Sequence, residues 1–273
     1  MINITLNLLQ AGSCTQYEKF AITGGAFRKI EFPAIFGLIH HFQFGYILFD
    51  TGYSDRFYQL TSTFPNLAYA KITPVRIDPD QSAVAQLHQL GIAASEIKQI
   101  IISHFHPDHI GGLRDFPQAQ FIYKRSAYQS LIRKKRIAAL ASGFLPGLLP
   151  ENFETRSRDI EKYPVISLPE QYAPFCCAYD ILGDGSLLLV DLPGHAQGQL
   201  GLFLTTKRGR YFLISDACWQ KRSHQTFTPP NGLARLVTHH WGDYLSTLKK
   251  INRLHQHYSE ITIIPSHQNI ASL

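Results

Sequence analysis

The sequence predicts an α/β protein whose β-sheets are stacked together and covered on the outside by helices. Strand-like segments occur in both halves of the 273-residue chain, and each half also contains a helical pattern. A composition of 45% hydrophobic and 17% charged residues is that of a folded protein with a substantial core. No apolar run approaches the roughly 20 residues that span a bilayer. We therefore expect a single domain over residues 1–273, in the cytoplasm and without a membrane partner.

The first half carries alternating and fully apolar segments that are typical of strands, and one helical pattern. The alternation of apolar and polar residues at the N-terminus has the period of a half-buried strand, and the last apolar run is expected to be buried on both faces. The predicted strands are residues 2–8, 34–39, 46–49 and 99–103. A helix is expected to begin at Asp80, to place Leu87 and Leu90 on its inner face, and to end at Gly91.

The second half repeats this organisation. Four apolar segments predict strands, at residues 186–190, 200–205, 211–215 and 261–264. Residues 243–257 have the spacing of an amphipathic helix with Tyr244, Leu248, Ile251 and Leu254 inward.

A different segment, residues 126–172, separates the two halves. It begins with a helical stretch that carries four consecutive basic residues, 133–136, and it continues through the proline-rich residues 144–150. We interpret it as an insertion that caps the mouth of a site; a surface loop is the alternative.

The residues most typical of a metal site follow the apolar strand of the first half directly, in the string H-x-H-x-D-H. On an extended segment, His104 and His106 project to the same side, because side chains alternate. Pro107 then turns the chain, so that Asp108 and His109 can face a second centre a few ångströms away. Imidazole and carboxylate ligands suit zinc, and also manganese, iron or cobalt.

Three later residues of the same types occur where an apolar strand gives way to a loop. They are His195, Asp216 and His267. Strand ends are where a rigid scaffold presents functional side chains, so we expect these residues to complete the metal site.

This ligand order, together with Asp50-Thr51-Gly52 after an early strand, resembles the metallo-β-lactamase superfamily over nearly the whole chain. The resemblance implies an αββα sandwich of two mixed β-sheets flanked by helices, with a dinuclear site at one edge. It implies that Asp216 bridges two metal ions and that Asp50 orients ligands from beneath. The remaining ligands would divide into His104, His106 and His195 for one ion and Asp108, His109 and His267 for the other.

Two divalent ions that share a water lower its pKa toward neutrality, so we expect a hydrolase that attacks with a bridging hydroxide. Asp108 is the candidate to hold this nucleophile and to pass its proton to the leaving oxygen. The spacing of the ligands most resembles the lactonases that open N-acyl-homoserine lactones and related rings. The expected reaction is therefore the opening of a lactone or the cleavage of a small ester, with two ions that are most often zinc.

One position departs from that branch. Its members commonly carry Tyr three residues after the bridging Asp, where this chain has Trp219. An indole N–H can donate a hydrogen bond but cannot exchange a proton as a phenol can. We expect Trp219 to form a wall of an apolar pocket, with donation to the substrate as the alternative; Phe144 and His224 are further candidates for that pocket.

Other functions stay open at this point. The net charge of +6 and the basic residues 133–136 would suit a phosphodiesterase or nuclease of the same superfamily, although such a run is usually a solvated helix face. A thioester hydrolase is a further alternative, and a non-enzymatic binding module would be expected to lack some ligands. We expect a small-molecule substrate, no nucleic-acid partner, and a homodimer as an option.

Overall fold

Two mixed β-sheets pack face to face in the computed structural model, which describes residues 4–272. The first sheet has seven strands in the order β4-β1-β2-β3-β5-β6-β7, and the second has six in the order β13-β12-β11-β10-β9-β8. The strands are β1 Ile4–Tyr17, β2 Lys29–His41, β3 Gly45–Phe49, β4 Val75–Arg76, β5 Ile97–Ile101, β6 Gln120–Tyr123, β7 Ser157–Asp159, β8 Val165–Ser167, β9 Cys177–Asp180, β10 Leu187–Asp191, β11 Leu200–Thr206, β12 Gly209–Ser215 and β13 Ile261–Pro265.

Helices cover the outer faces of both sheets. They are α1 Glu18–Ala21, α2 Arg56–Leu60, α3 Asn66–Ile72, α4 Ala83–Gln89, α5 Pro107–Ile110, α6 Arg125–Ile132, α7 Arg136–Ala141, α8 Lys221–Gln225 and α9 Trp241–His257. In the described part of the chain, none of them is long and apolar enough to cross a membrane.

Three hydrophobic clusters fill the layers of this sandwich. Isoleucine and leucine side chains from both sheets form the middle one, for example Ile39 and Ile101 against Leu202 and Leu213. The other two lie under the helices of the first sheet and under α9 on the second. The predicted αββα architecture is confirmed, because both sheets bury one face against each other and the other beneath helices.

Strand direction determines where the site lies. In the first sheet β3, β5, β6 and β7 run parallel, so the loops that follow β3 and β5 leave from the same edge. In the second sheet β13 runs parallel to β12, while β10 and β12 are both antiparallel to β11. The segments after β10, β12 and β13 therefore also emerge together.

The helix of the first half starts later than the sequence predicts. Ser82, not Asp80, caps α4, and its hydroxyl accepts a hydrogen bond from the Ala85 amide at 3.3 Å. Leu90 is 54% exposed rather than inward, because α4 ends at Gln89. Leu87 is fully buried as expected.

The midchain segment is more integrated than an added loop. It contributes β7 to the first sheet and β8 to the second, and its residues Leu148 and Phe153 belong to the buried core. Residues 133–135 lie between α6 and α7, so the predicted basic helix is divided in two. That this segment is an insertion stays a prediction.

Candidate metal centre

The seven candidate ligands converge at the edge where the strand ends meet. Among the described residues, two groups have ligand atoms that all lie within 4.8 Å of one another. One group is His104, His106, His195 and Asp216, and the other is Asp108, His109, His267 and Asp216. Asp216 is common to both groups, as a bridging carboxylate requires.

The contacts around Asp216 show how closely the groups adjoin. Its Oδ2 atom lies 3.2 Å from His267 Nε2 and 3.4 Å from His195 Nε2, and its Oδ1 atom lies 3.4 Å from His109 Nε2. One carboxylate therefore contacts imidazoles from both groups.

Buried polar atoms at the centre fit divalent metal ions. His104 Nε2, His109 Nε2 and Asp216 Oδ1 are buried and lack a hydrogen-bond partner, although such atoms are nearly always paired. Each group offers four nitrogen or oxygen ligand atoms, and neither contains a described cysteine. This set of donor atoms suits zinc, manganese, iron or cobalt. Bound cations would satisfy these atoms.

Asp50 supports the centre from beneath through three hydrogen bonds. Its carboxylate accepts from the Ser103 amide and hydroxyl, each at 2.8 Å, and contacts His109 Nδ1 at 2.7 Å. Donation from Nδ1 leaves His109 Nε2 free to face the centre. That Asp50 orients metal ligands stays a prediction.

The Asp50-Thr51-Gly52 turn also fixes the ligand loop. The Thr51 amide donates to the His109 carbonyl at 2.9 Å, and the Gly112 amide donates to Thr51 Oγ1 at 3.0 Å. A Cβ at Gly111 would lie 2.6 Å from the Gly52 carbonyl oxygen. The glycines after the ligand string are therefore needed for the close approach of two backbones.

Two non-glycine residues at this edge adopt left-handed backbone conformations. Asp50 has φ 62° and Ser215 has φ 50°. Both hydrogen-bond the Ser103 hydroxyl, and Ser215 Oγ also lies 3.3 Å from His104 Nδ1. Strain of this kind persists where the surrounding structure imposes it, typically at functional sites. The roles of Ser103 and Ser215 were not predicted, because neither serine belongs to the ligand motif.

The carboxylates of the centre are held ionised. Burial opposes the charge of Asp108, but His109 outweighs it and the pKa falls to about 2. Burial likewise opposes the charge of Asp216, yet His267 and His109 hold its pKa well below the usual range. Both groups can therefore bind cations at neutral pH.

The histidines divide into two electrostatic classes. Burial lowers the pKa of His104 well below its usual value and that of His195 to about 3, so these imidazoles are neutral and ready to bind a metal. Burial also acts against the charge of His109 and His267, but nearby carboxylates outweigh it. The Asp108 carboxylate contributes most to raising the pKa of His109, and the Asp216 carboxylate contributes most to raising the pKa of His267.

Trp219 contacts the ligand set directly. Its indole Nε1 donates to Asp216 Oδ2 at 3.2 Å, and its ring meets the His195 ring edge-on at a centroid distance of 5.7 Å. The indole donor is thus directed at a candidate metal ligand. A role of Trp219 in contacting substrate stays a prediction.

The midchain segment reaches the centre at Gly143. A Cβ at this position would lie 2.6 Å from Cδ2 of His106, so the loop lies directly against that imidazole. The neighbouring Phe144 is 1% exposed and packs edge-on against Phe105 at 6.0 Å. Phe144 therefore lies in the core, and the predicted capping of the site by the midchain segment stays a prediction.

His224 contacts residues that are not candidate metal ligands. Its Nδ1 is 3.7 Å from Cys218 Sγ, its carbonyl accepts from Asn252 Nδ2 at 2.8 Å, and its ring meets that of His255 at 5.5 Å. It belongs to α8, is 2% exposed and packs against α9. A role of His224 in the substrate pocket stays a prediction.

The sequence profile of the metallo-beta-lactamase superfamily matches residues 45–267, a range that contains all seven candidate ligands and Asp50. The chain belongs to the metallo-β-lactamase superfamily. The prediction that the protein belongs to this family is confirmed, and so is the prediction that it is an enzyme, a metal-dependent hydrolase.

Several relatives are named lactonases. The chain is 29% identical over 265 residues to the N-acyl homoserine lactonase AttM of Azorhizobium caulinodans, which covers 93% of this chain and 89% of the relative. It is 26% identical over 273 residues to the AttM lactonase of Rhizobium radiobacter, covering 98% and 94% of the two chains.

Solved structures share the fold. An N-acyl homoserine lactone hydrolase with the product N-hexanoyl-L-homoserine at its catalytic metal centre superposes with a TM-score of 0.75 at 18% identity, over 100% of this chain and 95% of that one. The dizinc quorum-quenching lactonase AidC superposes with a TM-score of 0.63 at 15% identity, over 98% and 88%.

Proposed function

We propose that this protein uses two divalent metal ions, with zinc as the expected metal, to open a lactone ring or to cleave a related small ester. The observation that carries the proposal is the single carboxylate, Asp216, shared by two four-residue ligand groups. The lactonase names of the relatives support the substrate class, and N-acyl-homoserine lactones are the first compounds to test.

The ions would supply a water acidic enough to attack at neutral pH and a positive charge to polarise the substrate carbonyl. His104, His106 and His195 would hold one ion, and Asp216 would be shared with the other. Asp108, His109 and His267 complete the second group.

In this proposal Asp108 accepts and returns the proton of the reaction. Its carboxylate oxygen Oδ2 lies 3.2 Å from His109 Nε2 and 3.5 Å from His267 Nε2, and the residue is 7% exposed. With a pKa of about 2, it is ionised at neutral pH and can accept a proton from the attacking water. It can then return that proton to the alkoxide that leaves when the ring opens.

A hydrolysis panel on metal-loaded protein tests the proposal. It should contain N-acyl-homoserine lactones of several chain lengths, a simple aryl ester, a phosphodiester and a glutathione thioester. Turnover of a lactone with the highest kcat/KM is the expected result. Turnover of the phosphodiester or thioester alone would overturn the proposal in favour of the corresponding alternative. A cytoplasmic location remains a prediction that this panel does not address.

A further inference from the structure

A groove of about 380 Å³ lies between the α2–α3 segment and the midchain segment. Its lining residue Phe144 follows Gly143, which lies against His106 of the metal centre. Its lining is largely apolar and includes Leu60, Leu140 and Leu145, while Lys134 and Arg136 supply two cations. We refer to this feature as the basic groove. The function proposed above does not use it.

Large apolar side chains project from the rim of the basic groove into solvent. Phe64 is 78% exposed, Ile137 is 71% exposed and Ile132 is 45% exposed. The Arg136 guanidinium donates to the Phe64 carbonyl at 3.5 Å, so the Phe64 loop and the start of α7 adjoin. Isolated exposed apolar residues are ordinary, but a group around one groove indicates an interaction surface.

The charges of this surface are uncompensated. Residues 133–136 are four consecutive cations, and in the described chain no carboxylate lies within 4 Å of any of them, since all the ion pairs involve other basic residues. Lys134 Nζ donates to the neutral Ser142 hydroxyl at 2.6 Å. Such a surface attracts a partner that is anionic and also accepts apolar side chains.

We infer that the basic groove and its rim dock on an anionic phospholipid bilayer surface. Basic residues beside exposed aromatic and aliphatic side chains are the combination that binds such an interface. Pairing with a second copy would bring two sets of four cations together in an isologous interface, which disfavours a dimer here. A small ligand inside the groove would leave Phe64 and Ile137 unexplained, since they project outside it.

We expected no membrane partner because the sequence lacks a membrane-spanning segment. Docking on the bilayer surface does not need such a segment. The Ser142-Gly143 loop adjoins both features: Ser142 bonds Lys134, and Gly143 contacts His106. Docking would therefore hold the metal centre near the lipid surface. The inference stands independently of which substrate is hydrolysed.

The test is co-sedimentation of the full-length, metal-loaded protein with vesicles of pure phosphatidylcholine and of phosphatidylcholine mixed with an equal amount of phosphatidylglycerol. Binding to the mixed vesicles that weakens with added salt is expected. Lys134→Gln/Arg136→Gln should weaken it about 25-fold, at about fivefold for each cation near an anionic surface. The matched control is Lys249→Gln/Lys250→Gln on α9, which removes the same charge from exposed positions elsewhere and should bind like the parent.

The apolar part is tested with Phe64→Ser/Ile137→Ser against Phe42→Ser/Leu90→Ser, since Phe42 and Leu90 are 63% and 54% exposed and precede β3 and β5, at the edge opposite the metal centre. Only the first pair should weaken binding. Circular dichroism establishes that each variant is folded. Three results would overturn the inference. The parent protein does not bind the mixed vesicles, or the two charge variants lose binding equally. The third is that the parent sediments as a dimer that Phe64→Ser/Ile137→Ser dissociates.

Discussion

The hydrogen bond from Trp219 to Asp216 leads to a quantitative prediction about metal affinity. Trp219→Phe removes the indole N–H that donates to Asp216 Oδ2 at 3.2 Å but keeps an aromatic ring beside His195. A hydrogen bond to a charged group contributes about 1.5–3 kcal/mol. The bond is present without metal, so it affects the affinity by keeping Asp216 in its binding orientation. When that energy is lost, the metal should bind about 10- to 100-fold more weakly, at about 1.4 kcal/mol for each factor of ten. Losses of that size are typical when the hydrogen-bond partner of a metal ligand is removed.

The assay is competition for zinc with a chromophoric chelator, at fixed pH, followed by kcat and KM measurements on fully loaded protein. Trp241→Phe is the matched control, because Trp241 stacks on Tyr244 at the start of α9. It should leave zinc affinity unchanged. An unchanged zinc affinity in Trp219→Phe, together with a raised KM, would refute the reasoning and assign Trp219 to the substrate pocket wall.

Three further predictions concern the centre. Asp216→Ala should reduce bound metal and activity together, as measured by elemental analysis and lactone hydrolysis; full metal content would reject the bridging role. Gly143→Ala should cost about 1–2 kcal/mol in denaturant unfolding and lower metal content, because its φ is +65° and the new Cβ would lie 2.6 Å from His106 Cδ2. Because their pKa values are raised, His109 and His267 must lose protons when metal binds, so calorimetry in buffers of different ionisation enthalpy should show proton release and an affinity that rises with pH. An affinity independent of pH would contradict that assignment.

The candidate ligands could be singled out from the sequence because their signal is local. The H-x-H-x-D-H string and the strand-end positions of His195, Asp216 and His267 depend on side-chain type and strand pattern alone. The family profile and the two ligand groups agree with that reading. Strand periodicity likewise predicted eight strands, β1, β2, β3, β5, β10, β11, β12 and β13, whereas β4 and the strands β6 to β9 have two to four residues each, too few for a periodic pattern.

Contacts between distant segments could not be predicted in this way. Gly143 meets His106, and Ser215 meets His104, only because the fold brings loops from separate strands to one edge. Ser82 and Asp80 are equally suitable cap residues by type. Only the hydrogen bond from the Ala85 amide to Ser82 shows which of them caps α4.

In the proposed function, two cations share Asp216 of this chain. The most direct measurement combines elemental analysis with lactone hydrolysis on the same samples, after chelation and after stepwise return of zinc. About two divalent ions per chain are expected at saturation, with activity lost on chelation and recovered as the ions bind. Full activity in protein that holds no transition metal would rule out the shared-carboxylate site.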